Sequence, residues 1–289
     1  MANTIGTSTY SAVWRAKYFS KTLQSVLRKA LVCEKICAVD TSDSFYIHNP
    51  YTTQPTAAIA AIAGTYSVSA WSTTEDSLTV TDQVTYAGHV YDFEAYMTNF
   101  DVMASRMDEM SYAVAYGVDY FVLNCLCEDG TGTYTTDAGG FTTAANIPVI
   151  FSSLISKVAG YADVYKGLYV VVENTDVTGI IQAGAASGFS FADAVLNNGL
   201  IGNFMGVDIY VVRSGTFVTT TIGSRSDIAN SGHRVFGVKG VATYCTPGGA
   251  HYEEKPVTGK TGREIAAWTY VGFKQWAQKA SLTVDITLS

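Results

Sequence analysis

The stretch that decides the fold is TNFDVMASRMDEMSYAVAYGVDYFVLNCL, residues 98–126. Apolar side chains recur at Phe100, Met103, Met107, Met110, Val114, Val118, Phe121 and Cys125. The steps alternate between three and four residues, which lays one apolar stripe along an α-helix. Asp101, Ser105, Asp108, Tyr112, Tyr116 and Asp119 fall largely on the other side. Thr98 and Asp101 have the spacing of a capping box and mark the start. Gly130 and Gly132, in a Gly/Thr-rich loop, mark the end. These 29 residues make a rod of roughly 43 Å, far beyond the mean helix of about 11–12 residues. No heptad pattern continues past it, so a coiled coil is not expected.

Composition sets bounds on the rest. A chain of 289 residues with 48% hydrophobic content holds enough apolar material for one large core. Charged residues are 15% of the chain, well under the roughly 25% of ordinary soluble domains. There are 19 Tyr, a residue that brings contact area at little rotamer cost and is enriched where proteins meet. Together these point to an oligomer. A net charge of −7 argues against tight non-specific DNA binding by the whole chain. No signal-peptide pattern opens the sequence, and no apolar run reaches the roughly 18 residues of a membrane span. The five cysteines favour reduced thiols, and Cys33/Cys37 and Cys125/Cys127 lack His or Cys partners at zinc-finger spacing. They read as small buried hydrophobes. No metal and no cofactor is expected.

Residues 1–12 are polar. From Val13 to Leu31, Trp14, Tyr18, Phe19, Leu23, Val26, Leu27 and Ala30 share one helical face, while Arg15, Lys17, Lys21, Arg28 and Lys29 bring positive charge. Such a basic amphipathic helix suits a membrane surface, a nucleic acid, a partner or simply solvent.

Residues 40–93 read as two strands with a long connection. Ser44 to His48 goes out and stops at Asn49-Pro50. In the return, Leu78, Val80, Val84 and Tyr86 alternate with Thr79, Thr81, Gln83 and Thr85. Asp82 interrupts the apolar row, so that face is not expected to be fully buried within one subunit. An isolated two-stranded ribbon is marginal in water, and a neighbouring copy is the economical support.

Beyond the long helix, residues 130–146 read as a loop and Pro148–Ala159 as a helix. Leu168–Val172 is a buried strand, Asn174 and Asp176 cap a short helix to Gln182, and Phe189–Leu196 is helical. Val207–Val212 is a strand, 216–230 a polar loop, and Arg234–Cys245 a strand. Glu264–Lys274 and Ser281–Leu288 close the chain as strands, with a helix over 263–280 as the alternative to the first.

Enzymatic signatures are absent. There is no G-x-S-x-G elbow, P-loop or H-E-x-x-H, and His48, His89, His233 and His251 stand outside any motif. Asp108-Glu109 is an acidic pair whose members point in different directions. No enzyme is expected.

The order of elements resembles the major capsid proteins of tailed bacteriophages, with the Hong Kong 97-type fold, over essentially the whole chain. The local matches are Ser77–Val80 through Phe93-Glu94, as the return strand entering a spine helix; Gly167–Val172; the glycine-punctuated Gly199–Val211; Gly272-Phe273-Lys274; and Leu282–Leu288. The resemblance implies an α+β chain with an N-arm (1–39), an extended E-loop hairpin (40–95), a P-domain spine helix and following loop (96–146), a mixed α/β A-domain (147–246) and closing P-domain strands (247–289). It implies a structural shell protein of the virion, assembled in the host bacterial cytoplasm. Its partners would be many copies of itself in hexamers and pentamers, portal and scaffolding proteins, decoration proteins, and weakly held double-stranded DNA; no membrane is involved. Expected inter-subunit contacts are Tyr46, Tyr51, Trp71, Val80, Tyr86 and Trp14, with Lys21, Arg28 and Lys29 facing the lumen or a neighbour. The competing expectations are an encapsulin-like compartment shell, a carbohydrate- or surface-binding module with a groove at Trp71 or Trp268, and an unrecognised hydrolase.

Overall fold

The structure is a computed structural model that describes residues 31–52, 59, 72–91, 102–159, 167–186, 200–257 and 261–289. The expected helices at Val13–Leu31 and Phe189–Leu196, and the Thr98–Asp101 cap, lie outside the described residues, apart from Leu31. No described helix is long and apolar enough to cross a membrane.

After a short helix α1 (Cys33–Ile36), the chain enters β1 (Ala38–Asp40), β2 (Tyr46–Thr52), β3 (Thr73–Thr79) and β4 (Asp82–Val90). The long helix α2 spans Val102–Glu128, 27 residues, or about 40 Å. Next come β5 (Gly132–Thr135), α3 (Ile147–Val158), β6 (Leu168–Glu173) and α4 (Val177–Ala186). The chain finishes with β7 (Leu200–Phe204), β8 (Val207–Val212), β9 (Thr219–Ile222), β10 (Arg225–Ala229), β11 (His233–Val238), β12 (Ala242–Cys245), β13 (Ala250–Pro256), β14 (Arg263–Gln275) and β15 (Thr283–Thr287).

A six-stranded mixed sheet, in the order β5-β15-β11-β6-β8-β7, forms one body. Its central strands β6, β8 and β11 are buried on both faces because both are covered. Val170, Val172, Ile209 and Phe236 pack against α3 and α4, whereas Tyr169, Val171, Tyr210 and Val235 meet α2. A second sheet joins β1, β12, β14, β13 and β4. The alternating residues Ile265 and Ala267 of β14 rest on Met110 and Val114 of α2. The helix is thus the common wall of two sheets: its first half serves one and its last turns the other. Gly117 marks the closest approach, where a Cβ would stand 2.4 Å from Val84 Cγ1.

Several expectations need correction. The apolar stripe holds at Met110, Val114, Val118, Phe121 and Cys125, but Met107 is 41% exposed. Asp119, placed on the polar side, is buried, because the last turns of α2 are enclosed on every side. The return strand is two strands: it breaks at Val80-Thr81, so β3 pairs with β2 while β4 pairs with β14. The face that carries Asp82 is only partly buried, as expected, with Tyr86 46% exposed, but Asp82 itself is not an exposed group. It is buried, and it accepts hydrogen bonds from the Ser224 main-chain N–H, from Ser224 Oγ at 2.8 Å and from Thr81 Oγ1 at 2.8 Å.

The outgoing strand does not stop at Asn49-Pro50. It runs on to Thr52, since a strand with an unpaired edge tolerates proline. The loop after α2 contains β5, which needs β15 from the far end of the chain as its partner. Residues 216–230 hold the β9–β10 hairpin. The expected strand Arg234–Cys245 divides at Lys239-Gly240 between the two sheets, and the Gly240 N–H is taken by Ile36 O at 2.8 Å. Strand β13 was not foreseen, and the start of the last expected strand is a 3-10 turn, Ala277–Leu282. Asp176 precedes α4 but turns its carboxylate to Arg234 Nε and the Glu173 N–H.

Candidate functional site

Among the described residues, the ribbon of β2 and β3 is an element that its own subunit supports only in part. It pairs Tyr46 with Thr79 through Thr52 with Thr73, and Leu78 is its one buried side chain. Period two divides it into two faces. Ile47, Asn49 and Tyr51, opposite Leu78, Asp76 and Thr74, share the face that meets the body. Tyr46, His48 and Pro50, opposite Thr79, Ser77 and Glu75, form the other. On that outer face the Tyr46 and His48 rings lie 4.7 Å apart, and His48 Nδ1 contacts the Glu75 carboxylate.

The ribbon is fastened at its root and along one side. Val80 N–H donates to Phe45 O at 3.0 Å, and the Phe45 ring meets Tyr270 edge-on at 5.2 Å. Gly272 leaves room for the root: a Cβ there would lie 2.9 Å from both Leu78 Cδ2 and Val80 Cγ2. Along the side, Lys274 Nζ reaches Asp76 at 2.9 Å, the Ala277 N–H reaches it at 3.1 Å, and Gln278 Nε2 donates to Thr52 O at 3.2 Å. Partial burial pulls the Asp76 carboxyl up, but the Lys274 ammonium and the two main-chain N–H groups outweigh it and hold the group below its ordinary value. The sequence reading missed Asp76, Lys274 and Gln278 as anchors. Only the charge pair could have signalled them, across nearly two hundred residues.

Of the candidate contact residues, Tyr46 is 50% exposed on the outer face of the ribbon. Tyr51 is half-buried on the inner face, and Val80 is half-buried at the root. Tyr86 is 46% exposed but sits apart on β4, where it lines a hollow with Arg106, Glu109 and Met110. The structure therefore brings Tyr46 and Val80 to one root and leaves Tyr86 on a different sheet. Trp14, Lys21, Arg28, Lys29 and Trp71 lie outside the described residues.

Polar chemistry inside the body is structural in form. Arg234 is buried between Glu173 and Asp176, and Glu173 also accepts the Gly215 N–H at 3.0 Å. Asn124 bridges Tyr120 O, Thr216 O and the Val218 N–H. All five cysteines are free and buried, and burial pushes each thiol up, Cys245 to about 11. Cys127 meets His233 and Asp285, a grouping that sequence spacing could not reveal.

Among the described residues the ribbon has only two strands, and each presents an outer edge of the kind on which another chain can pair. With half-exposed tyrosines beside those edges, its chemistry is that of association rather than turnover.

No protein-family model matches the chain, and no curated protein matches it. Solved structures do. The capsid structure of cyanophage P-SCSP1u has a TM-score of 0.71 at 14% identity, covering 100% of this chain and 97% of that one. A chain of Mycobacterium phage Che8 has a TM-score of 0.71 at 18% identity, over 93% of this chain and 96% of that one. The capsid of an empty GTA particle has a TM-score of 0.70 at 14% identity, over 98% of each. At such identities the likeness is one of fold: the chain has the fold of the bacteriophage capsid subunit, as the order of its elements led one to expect.

Proposed function

We propose that this chain is the major capsid protein of a tailed bacteriophage, a non-enzymatic subunit of Hong Kong 97-type fold that assembles into the icosahedral shell around double-stranded DNA. The observation that carries the reading is the ribbon of β2 and β3, which one subunit fastens along one side and leaves open on the other.

In this reading residues 1–39 are the N-arm, 40–95 the E-loop, 96–146 the spine of the P-domain, 147–246 the A-domain and 247–289 the closing P-domain strands. The E-loop lies over the adjacent subunit and completes its sheet edges by main-chain pairing, with Tyr46, Tyr51, Trp71, Val80, Tyr86 and Trp14 at the contacts. Lys21, Arg28 and Lys29 face a neighbour or the packaged DNA. A chain carrying −7 net charge leaves the inner wall with a weak hold on DNA that must leave again. Portal and scaffolding proteins complete the head, and assembly takes place in the host cytoplasm.

Deleting residues 52–76 tests this directly. The deleted chain is expected to stay soluble and folded by circular dichroism but to form no shells. Normal particles from that deletion would refute the role given to the ribbon.

A further inference from the structure

Among the described residues, Cys127, His233 and Asp285 converge from three elements, with one ligand-type atom of each lying within 4.8 Å of the others. The convergence is set by the fold. The β11–β15 register pairs His233 with Thr287 and Val235 with Asp285, so His233 and Asp285 are diagonal neighbours on one face of the sheet. That is the face α2 covers, and Cys127 is in the last turn of α2. Cys127 Sγ donates to Asp285 Oδ1 at 3.0 Å, and His233 Nδ1 lies 2.9 Å from each Asp285 oxygen.

One sulfur, one imidazole nitrogen and one carboxylate oxygen make a donor set that suits zinc, whereas magnesium and calcium call for oxygen alone. Tetrahedral zinc holds such atoms roughly 3.3–3.5 Å apart. The contacts made by Asp285 need to open by only about half an ångström to reach that. The His233 and Asp285 side chains are 23% and 16% exposed, which leaves a path for the ion and for a water at the fourth position. Arg234, whose charge is felt at Cys127, is already balanced by Glu173 and Asp176.

We propose that Cys127, His233 and Asp285 form a zinc site that pins the C-terminal end of α2 to β11 and β15. On binding, the Cys127 thiol gives its proton to solvent and ligates as thiolate. His233 ligates through Nδ1 with its other nitrogen protonated, and Asp285 exchanges its two hydrogen bonds for one bond to the metal. The inference rests on this geometry and is independent of the capsid reading.

The test uses the full-length chain, stripped with a chelator and titrated with Co²⁺ as a spectroscopic probe. One equivalent is expected to bind with a thiolate-to-cobalt charge-transfer band, which Zn²⁺ bleaches and Mg²⁺ does not. Cys127→Ser is expected to abolish the band. His233→Asn is expected to weaken binding by about tenfold or more, and this variant carries the test should the first fail to fold. No Co²⁺ uptake by the native chain, or uptake left unchanged by the substitutions, would overturn the proposal and leave the three residues as a hydrogen-bonded triad.

Discussion

Asp119, deep in α2, accepts the main-chain N–H of Cys33 at 2.6 Å, and the same oxygen takes the N–H of Val32 at 3.0 Å. A carboxylate on the long helix therefore receives the start of α1, tying residues 86 positions apart. Replacing Asp119 by Ala leaves two buried donors without an acceptor, at a cost of about 1–3 kcal/mol each. Asp119→Asn keeps one acceptor oxygen and is expected to cost less. Urea unfolding of the two variants checks the order.

The same carboxyl has a pH signature. Burial raises it above its ordinary value of 3.8, although the Cys33 and Val32 N–H groups pull the other way. The folded chain therefore holds this proton more tightly than the unfolded chain. The associated stability is full below 3.8 and falls as pH rises through the raised value. Asp76 has the opposite sign. Its folded value is depressed, so its contribution is present above 3.8 and is lost as pH falls. Unfolding midpoints against pH are expected to lose the first slope in Asp119→Asn and the second in Asp76→Asn.

Gly117 is expected to resist substitution. In an open helix, Gly→Ala gains about 0.5–1 kcal/mol. Here the new Cβ would meet Val84 Cγ1 at 2.4 Å, and overpacking of that kind costs about 1–3 kcal/mol. The clash wins, so Gly117→Ala destabilises. Pairing it with Val84→Ala is expected to recover part of the loss, which a double-mutant cycle measures as coupling.

The cysteines give a simple chemical check. All five are buried and free, and in the metal-free chain burial keeps their thiols protonated. A thiol reagent is expected to leave the native chain unmodified and to label all five after denaturation. Rapid labelling of Cys33 or Cys37 in the native state would show that the α1–α2 contact opens.

The long helix, the buried strands β6 and β8 and the closing strands were legible because their signals are local: a 3.6-residue stripe, or an unbroken apolar run between turns. What escaped reading depends on partners far away in the chain. Strand β5 is a strand only because β15 lies beside it. Asp119 read as a polar-side residue, and Asp82 as a break in an apolar row, because the main-chain donors that hold them, at Cys33 and Val32 and at Ser224, are remote in sequence. The break at Val80-Thr81 carries no proline or glycine; it arises because β3 follows the ribbon and β4 follows β14. Likewise, Cys127 and Asp285 are 158 positions apart and no spacing rule joins them. The ribbon itself was readable as an outgoing and a returning strand, but its anchors, Asp76 and Lys274, were not.

The central claim is that copies of this chain complete one another. Cryo-electron microscopy of the purified protein tests it most directly. Closed icosahedral shells, with the ribbon of β2 and β3 laid across the adjacent subunit, are the predicted result. A chain that stays a dispersed monomer at every concentration and salt condition tried would contradict it.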